Sequence, residues 1–318
     1  MEMISNCTAD AIANAAKALK DGHLVAFPTE TVYGLGADAT NEKAVSRIYS
    51  VKGRPINHPL IVHISSIQQI YKWAVDIPEY AEKLANKYWP GPMTLILKRG
   101  KQAKDFITGG QNNVGLRVPA QPIALALLKE FEKLGGVGIA APSANRYGAV
   151  SPTTVDAVQE EIGKYLDPKD FVLDGGPSLV GIESTIIDCT TEVPKILRPG
   201  VITTDMIQAL IKLIPDINSI NSSIRVSGML PAHYAPNAKV KINGNTKSGE
   251  GFIALSNIPT PDGAVRLAAP NNLNEYAKIL YAAFRAADFH GLTTISAIPP
   301  NGGGIALAIR DRLIKASG

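Results

Sequence analysis

Apolar positions along the chain recur at two spacings, and the switches between them mark out the elements. Ala11, Ile12, Ala15, Ala16 and Leu19 repeat at helical spacing over residues 8–20, with Thr8 as a cap and Asp21-Gly22 as a stop. Leu24 to Phe27 is an unbroken apolar run, the mark of a buried strand. Ala44, Val45 and Ile48 share one face of a second helix over residues 41–50. The same reading predicts strands at residues 60–64, 93–97, 114–118, 137–141, 172–173 and 185–189. Helices are predicted over 78–88, 123–134 and 154–162, with Gly135-Gly136 closing the second. Alternation of strands and helices to about Gly200 predicts an α/β domain.

Beyond Gly200 the pattern changes. A helix is expected over residues 207–214, and residues 215–228 are rich in Asn and Ser and free of aromatics, as in a linker. Strands at 240–242, 252–255 and 294–297, with helices at 274–288 and 304–315, predict a second, smaller α/β unit. The expected division is residues 1–205, a linker over 206–238, and residues 239–318.

Composition narrows the function classes. The 318 residues are 45% hydrophobic, enough for sizeable cores. Lys plus Arg is 32 and Asp plus Glu is 28, a net charge of +4, too mild to mark a dedicated nucleic-acid binder. Cys7 and Cys189 are too few for a disulfide framework or a Cys-rich zinc site. No apolar run approaches the roughly 18 residues of a membrane span, and no signal-peptide pattern opens the chain. A cytoplasmic protein without a membrane partner is expected.

The chemistry-bearing residues cluster at strand ends and turns. Lys52-Gly53-Arg54-Pro55 places two cations two residues apart; in an extended segment both point the same way and grip one polyanion. A solvated surface turn is the plainer reading of those residues alone. The strand ending at Phe27 runs into Thr29, Glu30, Thr31 and Tyr33, then Gly34 and Gly36, which suits close approach of a small molecule. Arg117 sits on a half-buried strand and requires an anionic partner, either a structural carboxylate or that of a ligand. Ser143 and Asn145 follow another strand. Ser151 or Thr153 either caps the next helix or binds an anion there. His63, between Val62 and Ile64, reads on its own as a structural histidine. Nucleophile elbows, Walker-type loops and dinucleotide fingerprints are missing from the sequence. Hydroxyls, amides and cations around a cleft fit chemistry by positioning and charge stabilisation.

Taken in order, Phe27-Pro-Thr-Glu-Thr-Val-Tyr-Gly-Leu-Gly36, Lys52-Gly-Arg-Pro55, Trp89-Pro-Gly-Pro-Met-Thr94, Gly115-Leu-Arg-Val-Pro119, Ala141-Pro-Ser-Ala-Asn145, Gly181-Ile-Glu-Ser-Thr-Ile186 and Leu197-Arg-Pro-Gly200 resemble the YrdC-like threonylcarbamoyl-AMP synthase family. His233-Tyr-Ala-Pro236 and Ala308-Ile-Arg-Asp-Arg-Leu313 resemble its long, two-domain form. The resemblance implies a YrdC-like twisted mixed α/β sheet with helices, plus a smaller Rossmann-like α/β C-terminal domain. It implies a nucleotidyltransferase that makes threonylcarbamoyl-adenylate and pyrophosphate from L-threonine, bicarbonate and ATP. Magnesium would accompany ATP, and the product would pass to the tRNA threonylcarbamoyl-transferase complex, with direct tRNA binding a weaker implication. By the same resemblance Lys52 and Arg54 are catalytic, and Thr31, His63, Arg117, Ala141 and Ser184 hold threonine. Arg54, His58, Asn113, Ser143, Asn145, Ser151 and Arg198 hold ATP, and Tyr234 closes over the nucleotide. No protein ligand set for a metal is implied. The competing readings are an RNA-binding module of the same fold and the carbamoyl-transfer domain of hydrogenase-maturation proteins, whose Cys-rich zinc segments two cysteines cannot supply.

Overall fold

The computed structural model describes residues 3–4, 8–216, 224–228 and 233–318. Part of the expected linker, and Cys7, lie outside the described residues. The first unit is built on ten strands: β1 Met3–Ile4, β2 Val25–Phe27, β3 Gly34–Asp38, β4 Ile61–His63, β5 Met93–Lys98, β6 Asn113–Arg117, β7 Ile139–Ala140, β8 Phe171–Leu173, β9 Thr185–Asp188 and β10 Lys195–Arg198. Their order across the sheet is β1-β8-β2-β3-β7-β4-β6-β5-β9-β10. Pairing is mixed: β4 with β6 and β5 with β9 are parallel, while β3 with β7, β4 with β7 and β5 with β6 are antiparallel.

The helices form where the apolar periodicity places them. Ala9–Lys20 buries Ala11, Ile12, Ala15, Ala16 and Leu19, and Thr8 Oγ1 accepts from the Ala11 N–H at 3.2 Å. Such a cap stabilises a helix by about 1 kcal/mol. Helix Glu42–Lys52 begins at the Asn41 cap and ends at Gly53, whose φ of 62° is the left-handed stop that glycine adopts without strain. This corrects the extended reading of Lys52 to Arg54: Lys52 is the last helical residue, and the chain turns between the two cations. β3 and β10 were not expected, the first because Gly34 and Gly36 read as punctuation, the second because Arg198-Pro199-Gly200 reads as a turn. β7 is shorter than the predicted strand over 137–141.

Helix Thr204–Ile211 packs back on the first unit: Ile207 is buried in its core, and Tyr88 Oη donates to the Met206 carbonyl at 3.1 Å. The second unit is an all-parallel four-stranded sheet of β11 Lys239–Ile242, β12 Gly251–Ile253, β13 Val265–Ala268 and β14 Thr294–Ala297, in the order β11-β14-β12-β13. Helices Leu273–Phe289 and Ile305–Ala316 pack with it. Val32, Val150 and Ile182 of the first unit join Tyr276, Leu280, Phe284 and Leu313 in one apolar cluster, so the two units share a core. Among the described residues no helix is long and apolar enough to cross a membrane.

Candidate active site

One cavity collects side chains from segments far apart in sequence: the loop after β2, the end of helix Glu42–Lys52, strands β4 and β6, the loop after β7, the Gly181–Ser184 turn, Arg198 and the linker. The space it encloses is about 50 Å3. Topology explains the convergence. β4 and β6 are parallel with His63 directly beside Arg117, so both strands deliver their last residue to the same end of the sheet. β7 runs antiparallel to β4, so the loop after β7 emerges beside Ile61, with the Ala141 N–H donating to the Ile61 carbonyl at 3.0 Å.

Among the described residues four cations and one carboxylate line this space: Lys52, Arg54, Arg117 and Arg198 against Glu183. Each cation is held differently. Arg117 is clamped: Nη2 donates to Glu30 Oε1 at 2.6 Å, Nη1 to Thr31 Oγ1 at 3.0 Å and Nε to the Gly91 carbonyl at 3.3 Å. The anionic partner that Arg117 required is thus Glu30, which also accepts from the Ala120 N–H. Lys52 is 2% exposed, and its Nζ donates to the carbonyls of Ser143 at 2.6 Å and Asn145 at 2.5 Å. It fixes the loop after β7 from inside. Burial and the neighbouring Arg54 hold its ammonium well below the usual lysine range. Arg54 Nη2 reaches the Pro59 carbonyl and Ser227 Oγ, and its guanidinium lies 5.8 Å from the Tyr147 ring centroid. Arg198 binds the Ser184 carbonyl and hydroxyl and the Ser227 carbonyl.

The linker forms the roof. Tyr234, at φ 62°, stacks on Tyr281 with ring centroids 5.8 Å apart, and His233 meets the Tyr147 ring edge-on. Its backbone is tied to both units: the Ala235 N–H donates to the Gly148 carbonyl, and the His233 N–H to the Lys315 carbonyl, each at 3.0 Å. Gly228 sits at φ 83° under the Tyr234 hydroxyl, where a Cβ would come within 2.0 Å of that oxygen. Only glycine fits there.

Of the residues expected at the site, Thr31, Lys52, Arg54, His63, Arg117, Ala141, Ser143, Asn145, Ser184, Arg198 and Tyr234 line the cavity together. Three stand off its wall. His58 lies behind Tyr147, Nδ1 to Oη 3.2 Å. Ser151 is buried and donates to Glu183 Oε1 at 2.6 Å. Asn113 starts β6 and faces a separate small cavity with Arg225 and Ser227. Glu30, Tyr147, Glu183, Ser227 and His233 were not singled out as site residues. Glu30 had a readable signal, since a buried Arg117 demanded a carboxylate and Glu30 lies beside Thr31, and so had His233, whose imidazole is unusual in an inert tether.

Several buried polar atoms on the cavity wall have no partner among the described residues: Arg54 Nε, His63 Nδ1, Asn145 Oδ1, His233 Nδ1 and the Tyr234 hydroxyl. Buried polar groups are ordinarily bonded, so such a concentration marks a surface built to bind. Both histidines are neutral. Burial pushes each down to about 3, assisted at His63 by Arg117; at His233 the attraction of Glu183 does not offset burial and the neighbouring cations. Glu183 goes the other way. Burial would raise its pKa, but Arg312 and Arg198 bring it down to about 2.

These shifts have one sign for stability. From pH 6.5, the ordinary histidine value, to about 3 the unfolded chain binds protons that buried His63 and His233 refuse, and below 4.5 Glu183 adds the same effect. The melting temperature is therefore expected to fall as pH drops from 6.5 towards 4, and to fall less in a His63→Gln variant. An equal slope in both proteins, measured by thermal unfolding, would refute the assignment.

Comparison with known proteins finds relatives of both units. Residues 17–200 match the Sua5_yciO_yrdC family, described as "Telomere recombination", and residues 202–318 match "Threonylcarbamoyl-AMP synthase, C-terminal domain". The chain is 38% identical to the threonylcarbamoyl-AMP synthase of Pyrococcus abyssi over 96% of its own length and 93% of the relative's. It is 37% identical to that of Bacillus subtilis over the same shares. The crystal structure of P. abyssi Sua5 complexed with L-threonine superposes with a TM-score of 0.88 at 37% identity, covering 99% of this chain and 96% of that one. Escherichia coli YciO, at 23% identity and a TM-score of 0.52 over 62% of this chain, shares the fold of the first unit. The expected mixed sheet with a smaller Rossmann-like domain is borne out, and the chain belongs to the Sua5/YrdC family of threonylcarbamoyl-AMP synthases, in its two-domain form.

Proposed function

We propose that this chain joins L-threonine, bicarbonate and ATP into threonylcarbamoyl-adenylate, releasing pyrophosphate and water. The observation that carries the reading is the charge of the cavity: among the described residues Lys52, Arg54 and Arg198 face one space together with Arg117, which Glu30 pairs, and its one lining carboxylate, Glu183, is already neutralised by Arg312. Four cations on one small cavity suit a polyphosphate together with a carboxylate.

The roles divide by position. Arg117 is locked by Glu30 with Nη1 beside Thr31, so a fixed pair of donors awaits the threonine carboxylate. Neutral His63 has an unbonded Nδ1, and Ser184 offers a hydroxyl bonded to Thr94 at 2.8 Å. Ala141 closes the threonine end. The threonine amine takes up carbon dioxide from bicarbonate, and the carbamate oxygen attacks the α-phosphorus as pyrophosphate leaves. Lys52 and Arg54 neutralise charge on the leaving group; such positioned charges contribute about 10²–10³ in rate. Arg198, Ser143 and Asn145 hold the nucleotide, and Tyr234 excludes water above it. His58 and Ser151 act through Tyr147 and Glu183, and Asn113 flanks Ser227 from outside.

We assign magnesium to the nucleotide. Among the described residues the cavity offers no cluster of metal ligands, its one lining carboxylate being paired with Arg312, so a magnesium ion would come with the nucleotide's phosphates and would add further charge neutralisation. The product serves as donor to a tRNA threonylcarbamoyl-transferase complex, in the cytoplasm.

The test is pyrophosphate release in the presence of ATP, with bicarbonate and L-threonine each withheld in turn. Release that needs both supports the reading. Release indifferent to threonine overturns it.

A further inference from the structure

Glu183 lies on the wall of a cavity that otherwise gathers positive charge, and a bare carboxylate there would oppose a polyanion. Its counter-charge comes from the other domain. Arg312, on helix Ile305–Ala316, is 0% exposed, and its Nε donates to Glu183 Oε2 at 2.8 Å. Tyr281, on helix Leu273–Phe289, donates to the same carboxylate at 3.0 and 3.1 Å from its two oxygens. From the first domain only Ser151 is bonded to Glu183 among the described residues. Arg198, the other nearby cation, bonds Ser184 and Ser227 instead.

The same guanidinium reaches the roof. Arg312 lies 5.3 Å from the centroid of the Tyr234 ring, which stacks on Tyr281, and Nη1 is oriented by Asp311 Oδ2 at 2.5 Å. Arg312 therefore touches both the acidic point of the cavity and the aromatic lid, 129 residues from the glutamate it neutralises. An ion pair kept only for packing has no reason to sit on the wall of a ligand cavity, because buried pairs are seldom better than apolar groups of equal volume.

We infer that Arg312 is a positioning residue for nucleotide binding: it masks Glu183 and seats Tyr234, so the C-terminal domain completes the ATP site electrostatically. The inference rests on reading the cavity as an ATP site.

The experiment is a double-mutant cycle in the full chain with Arg312→Met and Glu183→Gln, reading KM for ATP and for threonine separately. Arg312→Met is expected to raise KM for ATP about tenfold or more and that for threonine less than about twofold. In the Glu183→Gln background the same change is expected to raise KM for ATP less than about threefold, because no charge remains to mask and only the contact with Tyr234 is lost. An equal rise in both backgrounds, or no rise, overturns the inference. Arg312→Lys keeps the charge but loses the planar fork, and is expected to raise KM for ATP less than the methionine variant does. A rise of about tenfold, as expected of the methionine variant, would also overturn it, and this arm decides if Arg312→Met does not fold. Failure of the underlying reading is distinct: the unmodified chain would then show no threonine-dependent pyrophosphate release at all.

Discussion

Replacing Arg54 with alanine is expected to lower kcat/KM for ATP by about 10³ while leaving the fold intact, the scale set by removing a positioned cation from phosphoryl transfer. Arg54 is buried on the cavity wall, its Nε has no partner, and Nη2 makes contacts at 3.0 and 3.2 Å that a ligand can replace. Lys52→Ala should lose activity on the same scale and lose stability as well. The Lys52 ammonium holds two carbonyls of the Ser143–Asn145 loop, and unmaking bonds to a buried charged group costs about 1–3 kcal/mol or more. Steady-state kinetics and thermal unfolding of both variants separate the two roles. Unchanged kinetics in both would remove the phosphate clamp from the mechanism.

Deleting residues 227–318 is expected to reduce turnover more than about 10²-fold without unfolding the first domain. The main core of the ten-stranded sheet contains no residue beyond Leu213 among those described, so its packing survives. What the deletion removes is the roof of His233 and Tyr234 and both C-terminal partners of Glu183, Tyr281 and Arg312. An open site admits water to a reactive carbamate and adenylate, and the loss of lid closure falls on turnover. It also uncovers Val32, Val150 and Ile182, so the truncated protein should be less soluble. Far-UV circular dichroism checks the fold and pyrophosphate release checks the turnover. A well-folded truncation with full activity would contradict the lid.

What could be read from the chain alone follows from which contacts are local. Helix Leu273–Phe289 announces itself by apolar residues at helical spacing, and its Asn272 cap is adjacent in sequence. β4 and β6 show as apolar runs. β3 does not, because its glycines answer to neighbours: a Cβ on Gly36 would come within 2.7 Å of Ile139 and 2.9 Å of Phe27, strands apart in sequence. Gly138, within the predicted strand over 137–141, likewise answers to distant neighbours, a Cβ there coming within 2.7 Å of Val62 and 3.0 Å of Trp73.

The site divides in the same way. Lys52, Arg54 and Arg117 stood out as charges beside glycine or within apolar strands, and the family resemblance added His63, Ser184 and Arg198. Local spacing misjudged how Lys52 and Arg54 converge: a helix end and a left-handed glycine bring them together, not an extended segment. The bond between Glu183 and Arg312 was beyond local reading, since only docking of the two domains brings them within 2.8 Å.

The most direct measurement follows the carbon. The full chain is incubated with ATP, L-threonine and 13C-bicarbonate, and the nucleotide products are separated and weighed by mass spectrometry, with L-serine in place of threonine as a control. The expected product is an adenylate carrying both threonine and the labelled carbon, formed in step with pyrophosphate and in lower yield with serine. Pyrophosphate with AMP alone, or an adenylate without the labelled carbon, would contradict it.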